Sequence, residues 1–508
     1  MTFGSILFEN GGDQESRTAP ECLGDLNLDQ VIDAIIAGKD EYKLRPIFYT
    51  PLQTPAAIAY RQEIMRDLED KALFEGIGRF AQAMRTRHEY MGLAERLGNL
   101  YQRERWFLEA VETYCQAVAW LNEALMGADL RARGLLGLRE YVQHYAGSEA
   151  LQALAADTQA VKAALRTVRY CLAIKENTIK VRRYEGEADY SAEVEETFVR
   201  FKEGTPRSYL ATFASAPEMN HVEYQILNYV ALLFPEPFRV LDTFCERNRN
   251  YLDAVIGRCE RELQFYIAVL EYMAIFRRRG LPVCYPQMVA DEQEIFCRSG
   301  YDMALAYKLC LQEQPVICND FHLAGKERIF LVSGPNQGGK TTFARSFGQM
   351  HYLARLGCPV AGDAAQLYLC DAIYTHFESQ EDITNLRGKL QDDLVRIHRI
   401  LHLATPRSII IANEIFSSTT LQDAVLLGER IMREIVSRGL LCVCVTFMDE
   451  LAGLSDTIVS MVSSVDPEQP QVRTYQIVRR PPDGLAYAIS IAEKHRLTYA
   501  DLKERLKP

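Results

Sequence analysis

The stretch "FLVSGPNQGGKTTFARSF", residues 330–347, decides the fold class. An apolar run leads into Gly334, and four residues later come Gly339, Lys340 and Thr341. A buried strand, a glycine-rich turn and a helix in that order form the context in which a P-loop works. Glycines let backbone N–H groups turn toward phosphate oxygens, and the N-terminus of the following helix adds a favourable dipole. In this pattern Lys340 reaches the β and γ phosphates and the Thr341 hydroxyl ligates magnesium. The pattern implies ATP with Mg2+, held by Gly334, Pro335, Asn336, Gln337, Gly338, Gly339, Lys340, Thr341 and Thr342.

Such a loop needs a second strand to complete the magnesium site and position the attacking water. "SIIIANEIFSS", residues 408–418, is the candidate. Glu414 is placed to orient or activate water, which makes Glu414 and Lys340 the expected catalytic pair. Aspartate is wanted one position earlier, where Asn413 stands. Asn413 supports the metal through a bound water and brings no negative charge. Weaker magnesium binding and slow turnover are the expected consequences.

The surrounding composition narrows the class. The 508 residues are 48% apolar and 25% charged, enough for two to four packed domains. A net charge of −11 argues against coating nucleic acid by bulk charge but leaves room for a local basic groove. Thirteen scattered cysteines without a CxxC pair, and a start without a basic n-region, read as a reduced cytoplasmic protein. No apolar run approaches the length of a membrane span.

Working outward, "GDLNLDQVIDAIIAG" predicts a helix capped by Asp25 or Asn27 and closed by Gly38. Phe107, Val111, Tyr114, Val118, Leu121 and Leu125 form one helical stripe, and a second long helix is expected over 246–279, ending in "RRRG". Between them, Ile179 and Val181 alternate with Lys180 and Arg182, as in a short strand with one basic face. Beyond about 290, short apolar strands alternate with helices, the pattern of a sheet with crossovers. The expected division is the N-terminal part of a helical core (1–90), a helical lever with a short clamp-like tip near 176–220 (91–290), and a P-loop ATPase domain (291–508). The fold class is therefore an α/β P-loop NTPase domain preceded by a mainly helical core and lever.

These residues resemble the MutS family of DNA-repair ATPases. The family's "TGPNMGGKST" is matched by "SGPNQGGKTT", residues 333–342, including the Pro335–Asn336 pair that generic P-loops lack. Its "DEIGRGTSTxDG" falls without gaps on "NEIFSSTTLQDA", residues 413–424, which retain Asp423. Its "ATHYHEL" falls on "VTFMDEL", residues 445–451, and "YQIVRRPPDGLAYAISIAEKHRL" resembles the closing segment. The resemblance implies an ABC-like ATPase domain that clamps shut in a homodimer, with Ser418 among the nucleotide-contacting hydroxyls and DNA as partner. It also implies a truncated subfamily, since the helical core is expected to begin near residue 25, leaving no room before it for the mismatch-recognition and connector domains.

Three departures bear on chemistry. Gly388 replaces the signature-loop serine of the family, with Lys389 or Arg387 as substitute phosphate donors. Phe447 replaces a switch histidine. At the base site, Val316 and Ile317 stand where the family places an aromatic. Lys180, Arg182, Arg183, Lys202 and Arg207 are the candidate DNA contacts, although Glu185, Glu187, Asp189 and Glu193 make a solvated face an alternative. Arg277–Arg279 reads as a match to the helix dipole, His398 and His402 as surface or core histidines, and Cys442 and Cys444 as packing. The expected function is a slow Mg-dependent ATPase acting on distorted or branched DNA in repair or recombination. The alternatives are a nucleotide-gated clamp or scaffold with negligible hydrolysis and, from a third class, a chromosome-structure ATPase, which the ~75 residues between Lys340 and Glu414 leave no room for at ~1.5 Å rise per residue of coiled-coil arm.

Overall fold

The computed structural model describes residues 3–9, 15–176, 178–187, 219–290, 294–377, 388–416, 419–466, 473–482 and Lys503. The chain packs as two compact units, residues 4–70 with 131–135 and 261–508, and residues 1–3 with 71–130 and 136–260.

The first unit is built on a six-stranded sheet. Its elements are β1 (Ile329–Ser333), α1 (Lys340–Arg355), β2 (Ile373–His376), α2 (Lys389–Leu403), β3 (Ile409–Asn413), α3 (Leu421–Ser437), β4 (Leu441–Val445), β5 (Ile458–Val465) and β6 (Arg473–Arg479). The strand order is β2-β3-β4-β1-β5-β6, parallel throughout except for the antiparallel pair β5–β6. Every residue of β1, β3 and β4 is buried, which explains their unbroken apolar runs: helices cover both faces of a parallel sheet, so neither face needs polar side chains. Cys442 and Cys444 are part of that packing. The carboxyl ends of β1, β3 and β4 share one edge, the usual place for a ligand crevice in an open α/β sheet.

Helix α1 departs from amphipathic patterning, with 13 of its 16 residues buried. On one side Phe343 and Phe347 pack edge-on or tilted against Phe321 and Phe330, with centroids 5.1–6.4 Å apart. Phe321 belongs to a smaller four-stranded sheet made by 319–323, 295–300, 364–368 and 287–289. The N-terminal segment covers the helix elsewhere. Arg345 Nε donates to the Asp25 carbonyl at 2.9 Å, and Gln349 Nε2 donates to the Leu26 carbonyl at 2.9 Å. The Asp25 carboxylate accepts from Thr375 Oγ1 at 2.7 Å and Arg396 Nη2 at 2.6 Å. Buried Arg61 donates to the carbonyls of Leu7 and Leu356, each at 3.0 Å.

Those bonds explain two differences from the sequence reading. The first 70 residues pack with the α/β part, so the packing units divide at 70 and 260 rather than at 90 and 290. Helix Leu28–Ile36 forms as expected, but no side chain caps it. Asp25 is engaged by Thr375 and Arg396, while Asn27 accepts from Gln30 Nε2.

In the other unit, the expected stripe is realised in helix Leu100–Gly127, where Val111, Tyr114, Val118, Leu121 and Leu125 are buried. Asn99 caps it by accepting from Gln102 N at 3.0 Å, a contribution of about 1 kcal/mol. The helix expected over 246–279 is two: Pro235–Arg247 ends before a short break, and Ala254–Arg278 starts anew. Asp253 causes the restart by accepting from the backbone N–H groups of Val255 and Ile256, both at 2.9 Å. At the far end, among residues of the first unit, Leu281 N donates to Phe276 O, closing the terminus as the "RRRG" sequence predicts. Strands Tyr170–Lys175 and Thr178–Arg183 pair as an antiparallel hairpin.

Candidate functional site

The loop between β1 and α1 is a strained, densely bonded turn. Gly334 has φ +114° and Gln337 +59°, and Gly338 N donates back to the Pro335 carbonyl at 3.2 Å. Gly338 must be glycine for a second reason. A Cβ there would lie 2.2 Å from Ser463 Oγ and 2.9 Å from the Pro335 carbonyl oxygen. Ser463, buried on β5, braces the loop by donating to the Gly338 carbonyl at 2.6 Å.

Lys340 begins α1 with its side chain folded under the loop. Nζ donates to the Gly334 carbonyl at 2.8 Å, the Pro335 carbonyl at 3.2 Å and Asn336 Oδ1 at 3.3 Å. Burial pulls its pKa below the usual lysine range. The carboxylates of Glu414 and Asp449 oppose that shift, and the Arg473 guanidinium reinforces it. Thr341 Oγ1 donates to Asn413 Oδ1 at 2.8 Å, joining the start of α1 to the end of β3 across the sheet edge. Glu414 follows in a left-handed turn, φ +53°, with its N–H bonded to the Val445 carbonyl at 2.9 Å. That turn aims residue 414 out of the buried strand and toward the cavity.

The cavity, of about 730 Å3, is lined by Gln337–Thr342 and Glu414 on one side. Leu305, Leu309, Val316 and Ile317 form an apolar wall, and Arg473, Thr474 and Tyr475 complete the lining from β6. Sequence reasoning found Val316 and Ile317 here and missed the aromatic, because Tyr475 arrives from a strand about 160 residues further along the chain. Asn319 fixes that strand, accepting from Ile477 N at 2.7 Å and donating to the Tyr475 carbonyl at 3.1 Å. Ser463, Asp449 and Arg473 were missed too. The only hint of the last was the basic, aromatic tail around "RTYQIVRR".

The donor set for a magnesium ion is Thr341 Oγ1 and Asn413 Oδ1, two neutral oxygens in contact. Magnesium usually takes one or two carboxylates together with substrate phosphates. These residues therefore fit an ion carried in on a polyphosphate, with Thr341 as direct ligand and Asn413 behind it. Among the described residues no three His, Cys, Asp or Glu side chains form an ion-holding group, His398 and His402 included.

The remaining expected residues are dispersed. Gly388 stands at the N-terminus of α2, and neither it nor Lys389 lines the cavity. Phe447 is half exposed. Thr420 caps α3, its Oγ1 accepting from Asp423 N at 3.3 Å, and the Asp423 carboxylate accepts from the same hydroxyl at 2.9 Å. Arg277 and Arg279 pair with Glu69 and Glu313. On the hairpin, Lys180 and Arg182 are exposed on one face, but Arg183 points to the other. Its Nη2 donates to the Leu233 carbonyl at 2.6 Å and its guanidinium lies 5.1 Å from the Phe234 ring centre. Arg183 thus ties the hairpin to helix His221–Leu233. Arg387, Ser417, Ser418, Lys202 and Arg207 lie outside the described residues.

Residues 330–500 match the family model described as MutS domain V. Over 254 residues, 49% of this chain and 29% of the relative, the sequence is 27% identical to the DNA mismatch repair protein MutS of Streptococcus suis. It is 29% identical over 188 residues to endonuclease MutS2 of Gemmatimonas aurantiaca, covering 36% of this chain and 23% of that protein. With MutS of Granulibacter bethesdensis it shares 28% over 172 residues, 34% of this chain and 18% of the other. The chain thus matches less than a third of the length of each of these curated relatives. Among the described residues no helix is long and apolar enough to cross a membrane. The sheet, the crevice at its carboxyl edge and these matches point the same way: residues 330–500 match MutS domain V, and over that part the chain is similar to MutS and MutS2 proteins.

Proposed function

We propose that residues 334–342 are a working P-loop, and that the chain binds ATP with Mg2+ and hydrolyses it slowly. The observation that carries this reading is the 2.8 Å bond from Thr341 to Asn413, which brings metal-binding hydroxyl and second-strand amide together beside Lys340. On binding, Lys340 Nζ exchanges the loop carbonyls for the β and γ phosphate oxygens, which meet the lysine with full opposite charge. The loop N–H groups and the α1 dipole hold the same oxygens. Tyr475, Val316, Ile317 and Leu305 enclose the base. Glu414 orients the attacking water and accepts its proton. Magnesium supplies charge neutralisation of the phosphates and a template for in-line attack. Asn413 holds the Thr341 hydroxyl in place without adding a charge, so turnover is slow.

The chain acts as a homodimer on DNA, with distorted or branched duplexes as substrate class, and Lys180 and Arg182 touch the phosphate backbone. Support comes from the similarity to MutS relatives and from the exposed basic hairpin face. Segments 1–90, 91–290 and 291–508 would serve as core, lever and ATPase domain in a cytoplasmic protein. A nucleotide-gated clamp with negligible hydrolysis is the second reading, favoured by the neutral Asn413. Steady-state turnover, measured with and without duplex and four-way-junction DNA, tests the first. Stimulation by junction DNA supports it, and tight ATP binding with no turnover under any condition leaves the clamp.

A further inference from the structure

The charges around the cavity are arranged unusually for a site that depends on a divalent cation. Where a metal-binding carboxylate would sit, Asn413 is neutral. A second cation, Arg473, lines the cavity beside Gln337–Thr342. Its place is set by the sheet: Arg473 opens β6 paired with Val465 on β5, two residues beyond Ser463, which braces the loop through the Gly338 carbonyl. The Arg473 charge is felt at Lys340, where it opposes the attraction of Glu414 and Asp449. A carboxylate at 413 would attract a metal but repel a bare polyphosphate, and an amide does neither. Guanidinium groups bind phosphate oxygens through a planar fork of donors and keep their charge at all relevant pH.

Resting on the nucleotide reading above, we propose that Arg473 is a second polyphosphate-binding cation, and that with neutral Asn413 it lets this site take a nucleoside triphosphate with little dependence on divalent metal. Arg473 then supplies part of the neutralisation that magnesium supplies where residue 413 is acidic. Its partner is the phosphate chain and not the base, so its contribution scales with the number of phosphates.

Calorimetric titration of ATP and AMP into the full chain, in MgCl2 and in EDTA, tests this with wild type, Arg473→Ala, Arg473→Lys and Asn413→Asp. Wild type should lose less than about fivefold in ATP affinity when metal is removed, whereas Arg473→Ala should lose about tenfold or more in EDTA and less in MgCl2. The Ala variant should bind AMP nearly as wild type does, and Arg473→Lys should recover part of the ATP affinity. Asn413→Asp should make metal removal cost about tenfold or more. A wild type that loses about a hundredfold in EDTA overturns the proposal. So does an Arg473→Ala protein that matches wild type there, or one that loses ATP and AMP affinity equally. Failure of wild type to bind ATP in either condition overturns the nucleotide reading itself. A matching thermal melt for Arg473→Ala separates lost binding from lost folding.

Discussion

The loop between β1 and α1 and the hairpin Tyr170–Arg183 both turn the chain within a few residues, yet they are held in opposite ways. In the loop, the Lys340 ammonium holds the Gly334 and Pro335 carbonyls and the Ser463 hydroxyl holds the Gly338 carbonyl, so buried side chains fix the backbone at several points. In the hairpin, one face packs Val181 against Val230, Phe238 and Phe234, while Ile174 near the tip is 71% exposed. Lys180 and Arg182 project from the opposite, exposed face. A site made by backbone tolerates almost no change. A site made by exposed side chains changes by degrees. Substitutions in the two regions should therefore differ in both size and character.

The largest effect belongs to the loop. Lys340→Ala should weaken ATP binding by about a hundredfold or more, since it removes a buried charge-assisted contact, while the melting temperature barely moves. Equal affinity in titration calorimetry would mean that the lysine serves only to hold the loop. Next comes a buried acid in the helical unit. Burial, with Asp242 beside it, pushes the Glu104 carboxyl up to about 8. The folded state therefore keeps a proton that the unfolded chain releases near the usual glutamate pKa. The stabilisation is complete below that value and is lost as pH rises toward about 8. Glu104→Gln should remove this slope and raise the alkaline melting temperature by roughly 2–4 °C, and an unchanged pH profile would contradict it.

Ser463→Ala tests whether the brace matters to the ligand. Loss of one buried hydrogen bond is worth about 1 kcal/mol, so ATP affinity should fall about fivefold with the fold intact. The smallest effects are expected on the hairpin. Lys180→Glu with Arg182→Glu should lower DNA affinity several-fold and flatten its salt dependence by about two counterions, whereas Arg183→Ala should loosen the hairpin without that change in slope. Identical salt slopes for all three proteins would remove the hairpin from the DNA reading.

What the sequence made legible follows the same division. The turn at residues 334–339, the strand ending in Asn413 and the apolar strands around it could be read because backbone geometry constrains residue type over a short window, as Gly338 shows. Ser463, Arg473, Tyr475 and Asp449 could not be read that way. Ser463, Arg473 and Tyr475 are placed by strand order, with β5 and β6 lying on the far side of β1, and Asp449 by the turn after β4; no local pattern encodes either neighbour. Asp25 is a similar case. Its sequence context is that of a helix cap, but Thr375 and Arg396, some 350 residues away, take its carboxylate. Alternation along residues 178–183 did separate Lys180 and Arg182 from Val181. The same alternation sets Arg183 on the face of Val181, and its bond to the Leu233 carbonyl could not be read from the strand alone.

In the proposed mechanism the labour is divided: Lys340 binds phosphate and Glu414 orients water, beside a second strand that ends in the amide of Asn413. Single-turnover hydrolysis of ATP in magnesium, by wild type, Lys340→Ala and Glu414→Gln, tests that division most directly. Wild type should convert bound ATP slowly, Glu414→Gln should bind ATP normally and hydrolyse it about a hundredfold more slowly, and Lys340→Ala should do neither. Hydrolysis by Glu414→Gln at the wild-type rate, or none by wild type despite tight binding, would contradict it.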